Sequence, residues 1–239
     1  IELSFGRYKI LKELGAGGMG KVYKAKDPKL GREVAIKVLL TKDCDDSSHI
    51  SRFIREARTM ASLKHENIIQ SLDIGGEDKD IFLVMEYING QTLAQKIKEY
   101  PPSIPEALQI METITGAVAY MHRRKILHRD LKPSNIMIDE KGKIKVMDLG
   151  LVKAVSQRGP SNGNGAFQQN RTTGINPGQS LQGMVVGSVG YMSPEQFDGI
   201  SDERSDIYSL GVILYEMLAG IMPFQGETAI NVLAAQMKG

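Results

Sequence analysis

The chain has 239 residues, 41% hydrophobic and 24% charged, a composition that supports one large or two small packed cores and excludes global disorder. Lys and Arg number 30 against 28 Asp and Glu, so a net charge of +2 gives no bulk attraction to nucleic acid or an anionic membrane. The single cysteine, Cys44, excludes an intramolecular disulfide and a multi-cysteine metal site, and suits a reducing compartment.

In chain order, strands are predicted at Tyr8–Leu14, Val22–Ala25 and Glu33–Leu40, separated by a glycine turn over 15–20 and a turn at Pro28 and Gly31. This is antiparallel sheet. Behind Asp45, Asp46, Ser47 and Ser48 as N-cap candidates, Ile50, Phe53, Ile54, Ala57, Met60 and Ala61 recur at helical spacing and predict a helix over Ser47–Leu63. Two more strands follow at Ile68–Ile74 and Ile81–Tyr87, joined by the acidic turn Gly75–Asp80, and Asn89-Gly90 closes the sheet.

After Gly90 the pattern changes to helices at Thr92–Glu99, Pro105–Arg124, Glu203–Ala219 and Thr228–Lys238, with a short strand pair at Ile136–Ile138 and Ile144–Met147. The change sets a domain boundary near residues 87–92, giving an α+β chain with domains 1–88 and 89–239. Residues 157–183, rich in Gly, Gln and Asn and without periodicity, read as a long mobile loop within a segment of about 151–190. No internal repeat is visible. The longest uncharged apolar helical run, Ile207–Tyr215, falls short of the roughly 20 residues that span a bilayer. The chain starts at Ile1 with no basic, then apolar, leader, so it reads as a piece of a longer protein.

Gly15, Gly17 and Gly20 form GxGxxG, a spacing at which missing side chains let backbone amides reach phosphate oxygens. The motif is weak alone, since roughly one chain in four of this glycine content shows it by chance, and a tight hairpin explains it equally well. Met19-Gly20-Lys21-Val22-Tyr23 continues as strand and no GK[ST] follows, which argues against dinucleotide and Walker-type folds. In Val34-Ala35-Ile36-Lys37, alternation puts Ala35 and Lys37 on one face. Glu56 falls on the apolar stripe of Phe53 and Met60, and a carboxylate turned toward a core needs a cationic partner, for which Lys37 is the best candidate.

His128-Arg129-Asp130-Leu131-Lys132-Pro133-Ser134-Asn135 resembles the catalytic loop of eukaryotic-like serine/threonine protein kinases. Asp148-Leu149-Gly150 resembles the family's metal-binding DFG triplet with Leu for Phe, and Ser193-Pro194-Glu195 its APE triplet with Ser for Ala. The motifs run in family order over residues 15–220. Phosphoryl transfer depends on positioning and charge neutralisation, and these residue types supply both.

The resemblance implies a bilobal kinase fold, with a small antiparallel β-sheet lobe carrying one helix, a larger helical lobe that the chain leaves incomplete, and ATP in the cleft between them. Asp130 is expected to take or orient the acceptor hydroxyl proton, Lys132 to neutralise the transferring phosphoryl group, and Asn135 and Asp148 to hold Mg²⁺, with Mn²⁺ an alternative. Lys37, paired with Glu56, would hold the ATP phosphates. Leu14, Gly15, Gly17, Gly18, Gly20, Val22 and Ala35 would line the nucleotide with the hinge residues Met85, Glu86, Tyr87 and Ile88, Met85 being the gatekeeper. His128 would pack against Leu149, in a stack continued by Met60 and by either Ser71 or Leu72. Asp206, inside an apolar helix, would hold the catalytic-loop backbone.

Lys132 with Gly187-Ser188 resembles the serine/threonine class, in which Ser188 would contact Asp130 and Lys132 and Arg129 would form a basic pocket for an activation-loop phosphate. Thr172, Thr173 and Ser180 are the candidate phosphate carriers, Ser180 lying nearest the usual position. The basic run His122–Lys125 reads as favourable charge at a helix C-terminus. Because the family's larger lobe continues beyond Gly239 and normally supplies an arginine to the residue at Glu195, a buried, unpaired Glu195 would weaken the chain.

The expected activity is ATP-dependent phosphorylation of protein Ser/Thr hydroxyls, with autophosphorylation, in a bacterial cytoplasmic catalytic region of a larger protein that the family allows to be membrane-anchored. The bacterial expectation rests on the wording of Gly15–Tyr23 and Tyr191–Gln196. Dimerisation through the smaller lobe is compatible with the family, and neither nucleic acid nor membrane contact is expected of this segment. Two alternatives are a pseudokinase scaffold that binds ATP without transfer, suggested by Leu149, and a small-molecule kinase, against which Lys132 and Ser193–Glu195 argue.

Overall fold

A computed structural model describes residues 4–17, 20–39, 47–76, 81–148 and 186–238. The chain divides into two compact units, Ile1–Gly90 and Gln91–Gly239. Gly18, Met19, Cys44, Leu149, Gly150, Thr172, Thr173 and Ser180, together with the long Gly/Gln/Asn-rich segment, lie outside the described residues.

The first unit is a six-stranded sheet, β1 (Ser4–Phe5), β2 (Tyr8–Gly17), β3 (Gly20–Asp27), β4 (Arg32–Leu39), β5 (Ser71–Gly75) and β6 (Phe82–Glu86), in the order β1-β2-β3-β4-β6-β5. Every neighbouring pair is antiparallel. On one face Val34, Ile36 and Val38 of β4 join Tyr8, Ala25, Phe82 and Val84 in a buried cluster, against which Phe5, Ile10, Tyr23 and Leu72 pack. Phe82 is central to it, with ring centroids 5.7 Å from Phe5 and 6.2 Å from Tyr8, the latter edge-on. Ala35 and Lys37, at the alternate positions, therefore project from the opposite face. Helix α1 (Ser47–Ser62) packs against β5 and buries Phe53, Glu56, Ala57 and Met60, a stripe at i, i+3, i+4, i+7.

Asp27 builds the β3–β4 turn by accepting from the amides of Lys29 at 3.0 Å and Leu30 at 3.4 Å, and Gly31 completes it at φ +66°. Gly20 is required by close approach, since at φ +151° a Cβ there would lie 1.9 Å from the carbonyl oxygen of Val38.

Strand β7 (Gly90–Thr92) lies at the division between the units, so Asn89-Gly90 does not close the first sheet as expected but leads into a second sheet, in which β7, β8 (Ile136–Asp139) and β9 (Ile144–Val146) follow one another in that order. Helix α2 (Leu93–Glu99) opens with a reciprocal capping box between Thr92 and Gln95. Helix α3 (Ile104–Arg123) buries Ala107, Ile110, Ile114, Ala117, Val118 and Met121. A one-turn 3-10 helix, Pro133–Asn135, leads into the antiparallel pair β8 (Ile136–Asp139) and β9 (Ile144–Val146).

Short helices α4 (Val186–Val189) and α5 (Pro194–Phe197) precede α6 (Glu203–Ala219), which packs on α3, and α7 (Ala229–Lys238). Helix α6 starts at an Asp202 cap and stops at Gly220, left-handed at φ +72°. Val189 with Ala229 and Val232 of α7 forms a small second cluster. Among the described residues no helix is long and apolar enough to cross a membrane.

Candidate active site

In the first unit, the glycine-rich segment is a β2–β3 hairpin whose last ladder pair is Gly17 with Gly20. A Cβ on Gly15 would meet no described atom within 4 Å, so packing does not demand glycine there. Lys37 pairs in register with Val22 on β3 and with Leu83 on β6, and its Nζ stands 3.9 Å from Glu56 Oε1. That separation is an ion pair, too long for a hydrogen bond, between side chains only 11% and 5% exposed. Ala35 pairs with Met85, which is buried, and Ser71 lies opposite Met85 on the other side. Of the two residues that sequence leaves open, Leu72 belongs to the Ile36 face of the sheet. Glu86 is held twice by Gln70, once through its own amide at 3.0 Å and once through Oε1 at 2.8 Å. Tyr87 receives Lys24 Nζ over its ring at 4.3 Å, and Ile88 is half-buried.

In the second unit, the loop over 128–135 is fixed from below. Asp206 on α6, almost wholly buried, accepts from the backbone amides of His128 at 2.9 Å and Arg129 at 2.8 Å, and its Oδ2 lies 2.7 Å from His122 Nε2. Burial pushes its carboxyl up, but the His122 bond and the two backbone bonds outweigh burial and hold it below the ordinary Asp value. His128 has no exposed surface; it accepts from the Asp130 amide at Nδ1 (3.3 Å) and so donates from Nε2 to the carbonyl of Met147 (2.9 Å). Burial dominates over the nearby carboxylates of Asp206 and Asp130 and pushes its pKa below 6.5, keeping the ring neutral.

On this frame Asp130 Oδ2 meets Lys132 Nζ at 3.0 Å and Asn135 Nδ2 at 3.2 Å, and Asn135 Nδ2 also donates to the Asp130 carbonyl at 2.8 Å. Lys132 Nζ reaches on to Ser188 Oγ at 3.3 Å. The amide of Met147, the residue before Asp148, donates to the carbonyl of Asn135 at 2.8 Å. Arg129 and Asp148 hold positive φ, +67° and +50°, strain that the Asp206 and Met147 bonds on either side sustain.

With its amide nitrogen engaged by Asp130, Asn135 has its amide oxygen for a cation, and Asp148 adds a carboxylate; this hard-oxygen pair suits a divalent ion shared with phosphates. Among the described residues no group of three His, Cys, Asp or Glu gathers as a metal site.

Two expectations need correction. His122 is more than helix-end charge, because its ring is bonded to Asp206. Glu195 is half-buried and accepts from Ser205 Oγ at 3.1 Å, so it is neither fully buried nor unpaired and the anticipated penalty does not arise from it. Sequence reasoning also misses Gln196, whose side chain donates to the carbonyl of Arg129 at 3.4 Å and closes a capping box with Ser193. Its signal is Ser-x-x-Gln, the capping-box spacing.

A sheet unit presenting a buried Lys–Glu pair, and a helical unit presenting an Asp–Lys–Asn cluster on a loop anchored to a buried helix aspartate, define a phosphotransferase of the protein kinase type. The protein kinase domain family matches residues 8–239, and the chain belongs to it. It is 44% identical over 95% of its length to serine/threonine-protein kinase PrkC of Bacillus subtilis, covering 32% of that protein. It is 40% identical over 95% to a probable serine/threonine-protein kinase PknB of Lactococcus lactis, covering 34%. With PknL of Mycobacterium tuberculosis, a serine/threonine-protein kinase, it shares 36% identity over 95%, covering 52%. The chain thus spans about a third to a half of the relatives it matches.

Proposed function

We propose that this chain transfers the γ-phosphate of ATP, with Mg²⁺, to Ser or Thr hydroxyls of proteins. The observation that carries the reading is the Asp130 carboxylate, bonded by Lys132 and Asn135 on a loop whose backbone Asp206 fixes. Asp130 orients the acceptor hydroxyl and takes its proton, while the Lys132 ammonium, shared with Ser188, offsets charge on the moving phosphoryl group. Asn135 and Asp148 would hold the divalent ion, which when bound would supply positive charge against the phosphates. Lys37, oriented by Glu56, binds phosphate, and the open side of Gly15 leaves room for a phosphate against the β2–β3 backbone. Leu14, Val22, Ala35 and the stretch Met85–Ile88 receive the adenine. The two units, Ile1–Gly90 and Gln91–Gly239, act as the two kinase lobes.

Autophosphorylation at Thr172, Thr173 or Ser180, with Arg129 receiving the phosphate, and Ser188 as a regulatory contact belong to the same reading. So do a cytoplasmic location, self-association through the first unit, and a place inside a larger protein.

The test is transfer of labelled γ-phosphate from ATP and Mg²⁺ to the chain itself and to a basic Ser/Thr peptide, beside Asp130→Asn. Loss of a general base costs about 10²- to 10⁴-fold, so label should nearly vanish in the variant. Equal label in both proteins refutes Asp130 as the base. A folded chain that binds ATP and transfers nothing is a scaffold, and preferential transfer to choline or an aminoglycoside makes it a small-molecule kinase.

A further inference from the structure

The segment that follows Ser188 is held in an unusual way. Its three consecutive carbonyls, of Gly190, Tyr191 and Met192, are each taken by a side-chain donor from a helix distant in sequence. Gln236 of α7, 6% exposed, spends its amide nitrogen on two of them, donating to Gly190 and Met192 at 3.1 Å each. Ser209 of α6, 5% exposed, donates to Tyr191 between them at 2.7 Å. The Tyr208 hydroxyl and Gln236 Oε1 are buried without a hydrogen-bond partner among the described residues. On the other side the end of the Met222 side chain packs close against Gly190, where a Cβ would lie 2.2 Å from Met222 Cε.

Helix contacts alone do not require this. Val189, Ala229 and Val232 already join α4 to α7 through apolar packing. A glutamine buried at that contact costs desolvation, the more so because its Oε1 has no hydrogen-bond partner among the described residues, and both its donor hydrogens go to the backbone of one short segment. At the N-terminal end of that segment Ser188 Oγ meets Lys132 Nζ, and Lys132 meets Asp130 Oδ2. The clamp and the proposed catalytic aspartate are therefore joined by a short run of backbone and two polar contacts.

We infer that Gln236, with Ser209, is a positioning residue for the protein acceptor: it fixes the Gly190–Met192 backbone so that Ser188 and Lys132 stand correctly when an acceptor hydroxyl approaches Asp130. This deepens and rests on the kinase reading above. Gln236 touches no reacting atom. Its removal loosens acceptor placement and leaves the nucleotide-binding residues of the first unit unaltered.

The experiment compares Gln236→Met, which keeps length and volume but has no donor, Gln236→His, which keeps one N–H, and Ser209→Ala in the 239-residue chain. KM for a Ser/Thr peptide should rise about fivefold or more in Gln236→Met, less in Gln236→His, with KM for ATP and acceptor-free ATP hydrolysis within about twofold of the parent. Unchanged peptide KM in a folded Gln236→Met, or an equal rise in both KM values, overturns the inference. Should Gln236→Met fail to fold, Ser209→Ala carries the same split. Amide hydrogen exchange over 188–193 gives a readout free of catalysis: exchange should quicken in Gln236→Met, and unchanged exchange refutes the clamp. If the parent itself transfers no phosphate, the kinase reading fails, and exchange alone then decides whether the clamp exists.

Discussion

At the scale of single residues, the buried pair of Asp206 and His128 governs how the catalytic loop responds to acid. His128 is neutral because burial lowers its pKa, while in the unfolded chain it titrates at its ordinary 6.5. Below pH 6.5 the unfolded imidazole takes a proton that the folded one refuses until its lower pKa is reached. The stability it contributes is therefore complete above 6.5 and declines as pH falls, at about 1.4 kcal/mol per pH unit through that window. Asp206 acts in a separate and lower window: its lowered pKa contributes stability above the ordinary carboxylate range that is lost only as pH falls through the folded value. Melting temperatures between pH 7.5 and 5 should decline in the parent and decline less in His128→Phe; parallel curves would show that another group sets the slope. Asp206→Asn replaces an acceptor of three bonds by an amide whose NH₂ end must face a donor. It should cost about 2–5 kcal/mol by urea titration and reduce transfer in whatever fraction stays folded.

At the scale of elements, the β2–β3 hairpin separates two glycines that look alike in the motif. Gly20 has no room for a methyl group beside Val38, whereas Gly15 faces open space. Gly20→Ala should destabilise the sheet by about 2–3 kcal/mol, measured by denaturation, through strain at the end of the β3–β4 ladder. Gly15→Ala should leave stability within about 0.5 kcal/mol and weaken ATP binding instead, so a matching loss of stability at both positions would contradict the phosphate role of Gly15. The seating of α1 on the sheet poses a related question, since its stripe carries Glu56 among apolar residues opposite Lys37. Removing one partner of such a pair costs about 3–5 kcal/mol, while two apolar replacements of similar volume are nearly neutral. Glu56→Met should melt earlier than the double variant Lys37→Met, Glu56→Met, although neither transfers phosphate. If the double variant is the less stable, the pair contributes net stability and its retention needs no catalytic reason.

At the scale of the whole molecule, legibility in the sequence follows the range of the interaction. The stripe that puts Glu56 beside Phe53 and Met60, and the limits of α6 from Asp202 to Gly220, are local patterns that residue spacing alone reveals. Strands β1 and β7, two and three residues long, are too short to carry a period, and exist because a neighbouring strand offers them partners. Contacts spanning 84 residues, as between His122 and Asp206, or 46, as between Gln236 and Gly190, leave no trace in spacing, and in sequence the first reads as mere helix-end charge. The same division applies to the proposed chemistry, whose nucleotide half, Lys37 and Glu56, and acceptor half, Asp130 and Lys132, belong to different units. Each half is useless without the other in one turnover, so Lys37→Met and Asp130→Asn should both be inactive on a peptide acceptor. An equimolar mixture should give no more than the sum of its two residual rates if each chain supplies both halves of its own reaction. Recovery to roughly a quarter of the parent rate would mean that units exchange freely between chains, as in a domain-swapped pair.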